Sequence, residues 1–340
     1  MEVMDKPAQC ILFAKVNGIL RCTKCRTPLE EREDGLVCAL CGSKFPLVRG
    51  VVRFVDGEQY AESFGWQWRR YSKTQLDTQG SLSDEDFRKR TGINPNELGG
   101  KLVLDVGCGM GRFAEVATRY GAYVVGVDLS QACEVAAENL ADRSFMAFQA
   151  DALNLPFAAE SFDYIYSIGV LHHTPDCEKS FKSLPQYLKP GGTIAIWLYS
   201  GYNKWYRFSD IYRKFTRRIS PRMLHSTLSI AVPFFYWLDR ALRSIPAVGR
   251  PLAGLIHYVF PVNLNPNPEA RLLDTFDWYS PAYQSKHTYE EVFRWYESCG
   301  LEALTVGELT LAVRGRKPLP SAREVERVQE GENSWELRPR

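Results

Sequence analysis

The sequence predicts an α/β fold: a largely parallel sheet covered by helices, preceded by a small module of its own. Three observations predict it. Between residues 102 and 200, short apolar runs alternate with segments of helical pattern. The first run, "LVLDV", passes straight into three glycines at alternate positions, Gly107, Gly109 and Gly111. Upstream, two C-x-x-C pairs, Cys22 with Cys25 and Cys38 with Cys41, bracket twelve residues.

The chain has 340 residues, enough for one large domain and a small one. Hydrophobic residues make up 45% and charged residues 24%, as in an ordinary globular protein. The N-terminal "MEVMDKPAQCILFAKVNG" starts acidic and is only briefly apolar, so it does not read as a secretory signal. The longest apolar run, "LSIAVPFFYWL" at 228–238, is too short to span a bilayer. Nine cysteines without a disulfide framework point to a reduced, cytoplasmic protein with a metal site. The net charge of +2 hides an asymmetry: residues 201–250 hold ten Lys or Arg and two Asp or Glu. That local +8 suits an anionic partner, whether a membrane surface, a nucleic acid such as RNA or a phosphorylated substrate; its bland reading is a solvated helix face.

The first element is a hairpin between the cysteine pairs, turning at "EDG". Two residues between paired thiolates let both sulfurs face one tetrahedral ion, and two pairs close a four-sulfur site. Cys22, Cys25, Cys38 and Cys41 are therefore candidate ligands of a structural Zn2+, with no coordination position left for catalysis. Next, "YAESFGWQWRRYSKTQLD" places Phe64, Trp68 and Tyr71 at helical spacing, a candidate lid. The glycine run then turns from strand into the helix "RFAEVATRYGA". Glycine suits a turn whose backbone approaches a ligand closely. The spacing G-x-G-x-G differs from the G-x-G-x-x-G of nicotinamide dinucleotide folds. Asp105 stands two residues before it, unwelcome beside a pyrophosphate but suited to a ligand carrying an amino group and a sulfonium.

Further acids close later strands. "YVVGVD" ends in Asp128, followed by Ser130 as cap of the next helix. A third strand ends in Asp151 and a fourth in Ile168 before the "LHH" loop; "KPGG" turns into the fifth. In such sheets ligands bind at the carboxyl ends of the strands, where all of these fall.

In this order the motifs resemble the class I S-adenosylmethionine-dependent methyltransferases, in particular the group that includes ubiquinone and menaquinone methyltransferases, over about residues 98–200. "ILRCTKCRTPLE" with "GSKFPLVRGVVRFV" resembles the Trm112-like zinc ribbon. The resemblance implies a Rossmann-like, seven-stranded sheet with an antiparallel last strand, its final two strands in "GLEALTVG" and "LTLAVRGR". It implies S-adenosylmethionine as cofactor: Asp105, Gly107, Gly109 and Gly111 around the methionine part, Asp128 at the ribose, Asp151 and Ala152 at the adenine, Ile168 lining the pocket. Four regions follow: ribbon 1–56, helical lid 57–98, methyltransferase domain 99–315 with a helical insert at 201–275, and polar tail 316–340.

The cofactor carries the reactivity and the protein aligns the acceptor. A hydroxyl acceptor also needs a base, for which His172 and His173 are the candidates; Tyr199 is a weaker one for orienting the acceptor. The insert mixes bases and aromatics ("YNKWYRFSDIYRKFTRRISPR"), which suits a membrane interface, a lipid-like acceptor or single-stranded RNA. After it, Asp277, Trp278 and His287 are candidates to reach the acceptor, and Thr288 with Glu291 reads as a capping box. The leading expectation is methyl transfer to a small or lipid-like acceptor (quinone, glycan or secondary metabolite) in the cytoplasm, at the membrane periphery if the insert meets lipid. The alternatives are an rRNA or tRNA base methyltransferase gripping RNA through ribbon and insert, and a non-catalytic scaffold. Neither oligomeric state nor accepting atom is legible.

Overall fold

The computed structural model describes residues 7–74, 76, 82–202 and 207–320. The N-terminal hexapeptide, positions 75 and 77–81 within the expected lid, Asn203 to Tyr206 of the basic insert and 321–340 of the polar tail lie outside the described residues.

Helix α1 (Pro7–Ile19) opens the chain; its Leu12 and Val16 are buried against the sheet. The brief apolar stretch of the N-terminus is thus a helix covering one sheet face. The ribbon follows: β1 (Glu30–Arg32), β2 (Gly35–Val37), β3 (Lys44–Val48) and β4 (Val51–Arg53), antiparallel neighbours in sequence order. The turn falls at Glu33–Asp34, as expected. Helices α2 (Glu62–Arg70) and α3 (Leu82–Thr91) form the lid region.

The main sheet starts with β5 (Leu102–Val106), then α4 (Arg112–Arg119), β6 (Tyr123–Asp128), α5 (Ala132–Asn139), β7 (Phe145–Gln149), β8 (Phe162–Ile168), α6 (Cys177–Lys182) and β9 (Leu188–Trp197). Four helices make the insert: α7 (Arg207–Thr216), α8 (Pro221–Arg243), α9 (Gly249–Val259) and α10 (Pro268–Tyr279). Then α11 (Tyr289–Ser298), β10 (Glu302–Val306) and β11 (Ala312–Arg316) complete the fold.

Strands β5 to β9 are parallel, in the order β7-β6-β5-β8-β9, and β11 and β10 add antiparallel at one edge. This is the expected mixed α/β fold with seven strands and an antiparallel last strand. The sheet is nevertheless longer than expected. Ribbon strand β4 pairs parallel with β7, Val52 beside Phe148, so eleven strands run as one sheet. Core residues of ribbon and main domain form one cluster: Cys22, Leu36 and Phe45 pack with Phe148, Leu155 and Phe157.

Three local readings need correction. Helix α5 starts one residue late: Ser130 Oγ accepts from Ala132 N–H at 3.2 Å, but the cap position is Gln131, which makes no side-chain cap bond. The "KPGG" segment lies inside β9, whose pairing with β8 is irregular there and whose Gly191 is left-handed at φ 74°. The insert reaches Tyr279, because Pro268 at the first turn and Asn267, accepting from Glu269 and Ala270 N–H, start a helix through "DTFDWY". The capping box holds: Thr288 Oγ1 accepts from Glu291 N–H, and Glu291 Oε2 from Thr288 N–H at 2.9 Å.

Candidate active site

A cavity of about 340 Å³ opens at the carboxyl ends of the parallel strands. The glycine turn forms one wall. Gly107, Gly109 and Gly111 are all left-handed, at φ 81°, 52° and 94°. A Cβ at Gly107 would come within 2.3 Å of Val170, and one at Gly109 within 3.2 Å of Trp68 Nε1. Two of the three glycines therefore keep the cavity open. Gly111 does something else: it is the cap residue of α4, packed on Leu140 and outside the cavity wall.

Asp128 lines the cavity and is fixed by three donors: Gly109 N–H at 2.9 Å, Ser130 N–H at 2.8 Å and Ser130 Oγ at 2.7 Å. A carboxylate offers about four lone-pair sites, so one remains for a hydroxyl of a ligand. Burial raises its carboxyl above the ordinary range. Ala152 and Ile168 also line the wall. Asp151 does not; its Oδ1 accepts from Leu153 N–H at 2.9 Å and caps the turn that presents Ala152. Asp105 differs from expectation too. It sits beneath the floor, 3% exposed, accepting from Tyr166 OH at 3.1 Å, and burial pushes its carboxyl up to about 8. Without a cation beside it, this group is protonated at neutral pH.

The lid supplies Tyr60, Ala61, Phe64, Gln67 and Trp68. Phe64 and Trp68 face the cavity as anticipated. Tyr71 faces the insert, its hydroxyl 2.7 Å from His225 Nε2. Glu58 Oε1 accepts from Gln131 N–H at 2.9 Å and pins the lid to the start of α5.

The insert closes the far end with Asn263, Leu273, Asp274, Asp277 and Trp278. Asp274 and Asp277 stand one turn apart on α10. Tyr199 OH donates to Asp277 Oδ2 at 2.9 Å, and Asn263 Nδ2 to Asp274 Oδ2 at 2.9 Å. Burial pushes both carboxyls up to about 6. For Asp274 the charge of Asp277 adds to the rise, while Arg112 and Arg90 oppose it. Both arginines line the cavity; Arg90 lies 4.0 Å over the Trp197 ring, and Arg112 pairs with Asp86 at 3.1 Å.

The histidines separate. His173 lines the cavity with its Nδ1 3.0 Å from the Tyr283 carbonyl. A carbonyl only accepts, so Nδ1 carries the proton and Nε2 keeps its lone pair. Burial holds His173 down at about 4. His172 is not at the cavity. It is fully buried, stacked on Tyr199 at 4.0 Å, with both ring nitrogens unpartnered and its proton affinity depressed by burial. It backs the wall rather than touching the contents. His287 is also away from the cavity: Ser285 Oγ lies 2.7 Å from its Nε2 and Trp295 packs on its ring.

The cysteines converge apart from this cavity, all four sulfurs within 4.8 Å of one another. Cys22 and Cys41 Sγ are 3.6 Å apart, and Cys25 and Cys38 3.3 Å. Four thiolates about 2.3 Å from a tetrahedral centre would stand about 3.8 Å apart, so the set fits zinc. The two knuckles repeat each other. Arg26 N–H donates to the Cys22 carbonyl and Gly42 N–H to that of Cys38, both at 2.9 Å. Arg26 and Gly42 are both left-handed, at φ 63° and 68°. Lys24 and Cys41 N–H groups point at the Cys22 and Cys38 sulfurs.

Sequence reasoning missed Tyr60, Arg90, Arg112, Asn263 and Asp274. They come from four different segments and carry no local motif; the acids at 274 and 277 on one helix face were the available signal.

Comparison with known proteins gives a consistent reading. Residues 104–196 match the methyltransferase domain family. Over 105 residues the chain is 42% identical to the methyltransferase GfsG of Streptomyces halstedii, covering 28% of this chain and 37% of that one. Over 131 residues it is 30% identical to a ubiquinone biosynthesis O-methyltransferase of Coxiella burnetii, covering 38% and 56%. A solved S-adenosylmethionine-dependent methyltransferase of Mesorhizobium loti aligns at 36% identity and a TM-score of 0.28, over 29% of this chain and 47% of that one. The chain thus spans between about a third and somewhat over half of these proteins' own length. It carries a methyltransferase domain of the S-adenosylmethionine-dependent kind, with a four-cysteine cluster resembling a zinc ribbon.

Proposed function

We propose that this S-adenosylmethionine-dependent methyltransferase domain methylates a hydroxyl of a small, lipid-like acceptor, with Asp277 as the base. The observation that carries the reading is the single cavity joining Gly107, Gly109 and Asp128 to Asp277 and Tyr199. When bound, S-adenosylmethionine supplies an electrophilic methyl group on sulfur. The glycine turn, Asp128, Ala152 and Ile168 would hold it. Phe64, Trp68, Phe113, Trp197 and Trp278 add aromatic surface to the walls, which would help exclude water.

A hydroxyl acceptor loses its proton during transfer. Asp277, tuned to about 6, is ionised at neutral pH yet basic enough to take that proton. His173 at about 4 is the weaker base, and His172 does not reach the cavity. Tyr199, donating to Asp277, fixes the carboxylate's direction. Arg90 and Arg112 flank the same end and suit an acceptor with a partial or full negative charge. The four cysteines are assigned a structural zinc ion that shapes the ribbon.

The test uses purified full-length protein and methyl-labelled S-adenosylmethionine with three acceptors: a short-chain prenylated catechol, phosphoethanolamine and total RNA. Label moving to the catechol oxygen supports the reading. Label moving only to the amine or to RNA, or to none of them, overturns it.

A further inference from the structure

Helix α8 has two apolar faces. The inner one, with Leu224, Leu228 and Val232, packs on Phe276 and Tyr279 of α10. The outer one runs through Ile230, Phe234 and Trp237, a three-to-four-residue spacing that keeps them on one side, and these are 78%, 61% and 64% exposed. The same character continues on α9, which packs on α8 and exposes Leu252 and Leu255. Ring contacts run from Phe234 to half-buried Phe235, which packs on the inner cluster, and on to Phe260 just after α9. Five large apolar side chains so exposed on two neighbouring helices call for a partner.

The charges around this face are one-sided. Residues 207–260 contain nine Lys or Arg and only Asp210 and Asp239 as acids. Both acids are already paired, Asp210 with Arg213 and Lys286, Asp239 with Arg243. Exposed Lys214, Arg217, Arg218, Arg222 and Arg250 have no carboxylate partner among the described residues. Among the described residues no helix is long and apolar enough to cross a membrane. A second copy docking by a two-fold axis would set this cationic surface against itself. RNA would match the charge but not bare Ile230 and Leu255.

We propose that the outer face of α8 and α9 lies in the interface of an anionic lipid bilayer. Ile230, Phe234 and Trp237 insert to the level of the acyl boundary, and the arginines meet the headgroup phosphates. This inference rests on surface chemistry and stands whatever the methyl acceptor is. It gives α8 a place between the bilayer and α10, the helix that carries Asp274 and Asp277.

The experiment is flotation of the full-length protein with vesicles of phosphatidylcholine alone and of phosphatidylcholine with phosphatidylglycerol. Partitioning onto the anionic vesicles is expected to be about ten-fold or more higher, and to fall with salt. An Ile230→Asp/Phe234→Asp/Trp237→Asp variant, altered only at exposed positions, should lose flotation while S-adenosylhomocysteine binding by calorimetry is unchanged. Arg217→Glu/Arg218→Glu/Arg222→Glu should remove the preference for anionic lipid. Failure of the wild-type protein to float on anionic vesicles overturns the proposal. So does a dimer in sedimentation velocity that the triple Asp variant splits, or tighter binding to poly(U) than to vesicles.

Discussion

Arg26, inside the first cysteine knuckle, donates from Nη2 to Oδ1 of Asn154 at 2.6 Å and from Nη1 to the Leu155 carbonyl at 2.7 Å. Asn154 returns a bond to the Thr23 carbonyl at 3.2 Å. The turn so clamped starts at Asp151 and presents Ala152 to the cavity. The knuckle therefore braces a wall of the proposed cofactor site. Removing the proposed zinc ion by chelation, or Arg26→Ala with the cysteines intact, is expected to weaken S-adenosylhomocysteine binding several-fold. Calorimetry checks it; unchanged affinity in both would make the ribbon irrelevant to the pocket.

The pH profile tests Asp277. Its carboxyl is raised to about 6 by burial, so the ionised base is lost as pH falls through that value. kcat/KM should drop about ten-fold per pH unit below 6 and level off above it. Asp277→Asn should lose about 10²-fold or more in kcat and flatten this limb, with S-adenosylhomocysteine affinity kept. Tyr199→Phe should retain most of the rate and shift the limb upward, because it removes a bond that favours the ionised form.

Asp105 makes an opposite stability prediction for the ligand-free protein. Its folded carboxyl titrates at about 8, against about 3.9 when unfolded. The proton kept on folding stabilises the fold fully below the unfolded value, and that contribution is lost as pH rises through 8. Asp105→Asn keeps an acceptor for Tyr166 and removes the titration. In urea unfolding it should match the wild type near pH 4 and exceed it by at least about 1 kcal/mol near pH 8.

Gly107→Ala should abolish cofactor binding. The backbone there is left-handed, and the new methyl would collide with Val170 at 2.3 Å. Retained S-adenosylhomocysteine binding by calorimetry would show that the turn can shift.

His172→Ala should cost about 1–3 kcal/mol of stability, yet keep near-normal turnover with saturating S-adenosylmethionine, since His172 backs Tyr199 without reaching the cavity. A turnover collapse in folded protein would return His172 to the list of bases.

What was legible in the sequence was what one local stretch encodes by itself. Gly107, Gly109 and Asp128 could be placed together at one cavity wall because strand, turn and helix succeed one another within a few dozen residues. The cysteine knuckles and the Thr288–Glu291 cap were read for the same reason. The place of Asp105 beneath the cavity floor was not legible because strand alternation, which decides whether a side chain meets the cavity or what lies beneath it, shows only once Tyr166 is placed beside it. Arg90 and Tyr60 were unreadable, since tertiary packing alone brings α3, the start of the lid and α10 to one cavity; for Asp274 the one signal was its place a helical turn before Asp277. The join of β4 to β7 was hidden likewise: nothing in "VVR" names "FMAFQ" as its neighbour.

That join has a consequence for biosynthesis. The ribbon leaves the ribosome before the main domain, and Val52, paired with Leu47 on one side, has no mate on the other until Phe148 is made. Arg26 likewise lacks its acceptors until Asn154 and Leu155 emerge. Over that interval β4 is an open edge, and its best protection against pairing with a neighbouring nascent chain is the prompt capture of metal by the four cysteines. With the proposed zinc withheld, a larger share of newly made chains is expected to end as insoluble material.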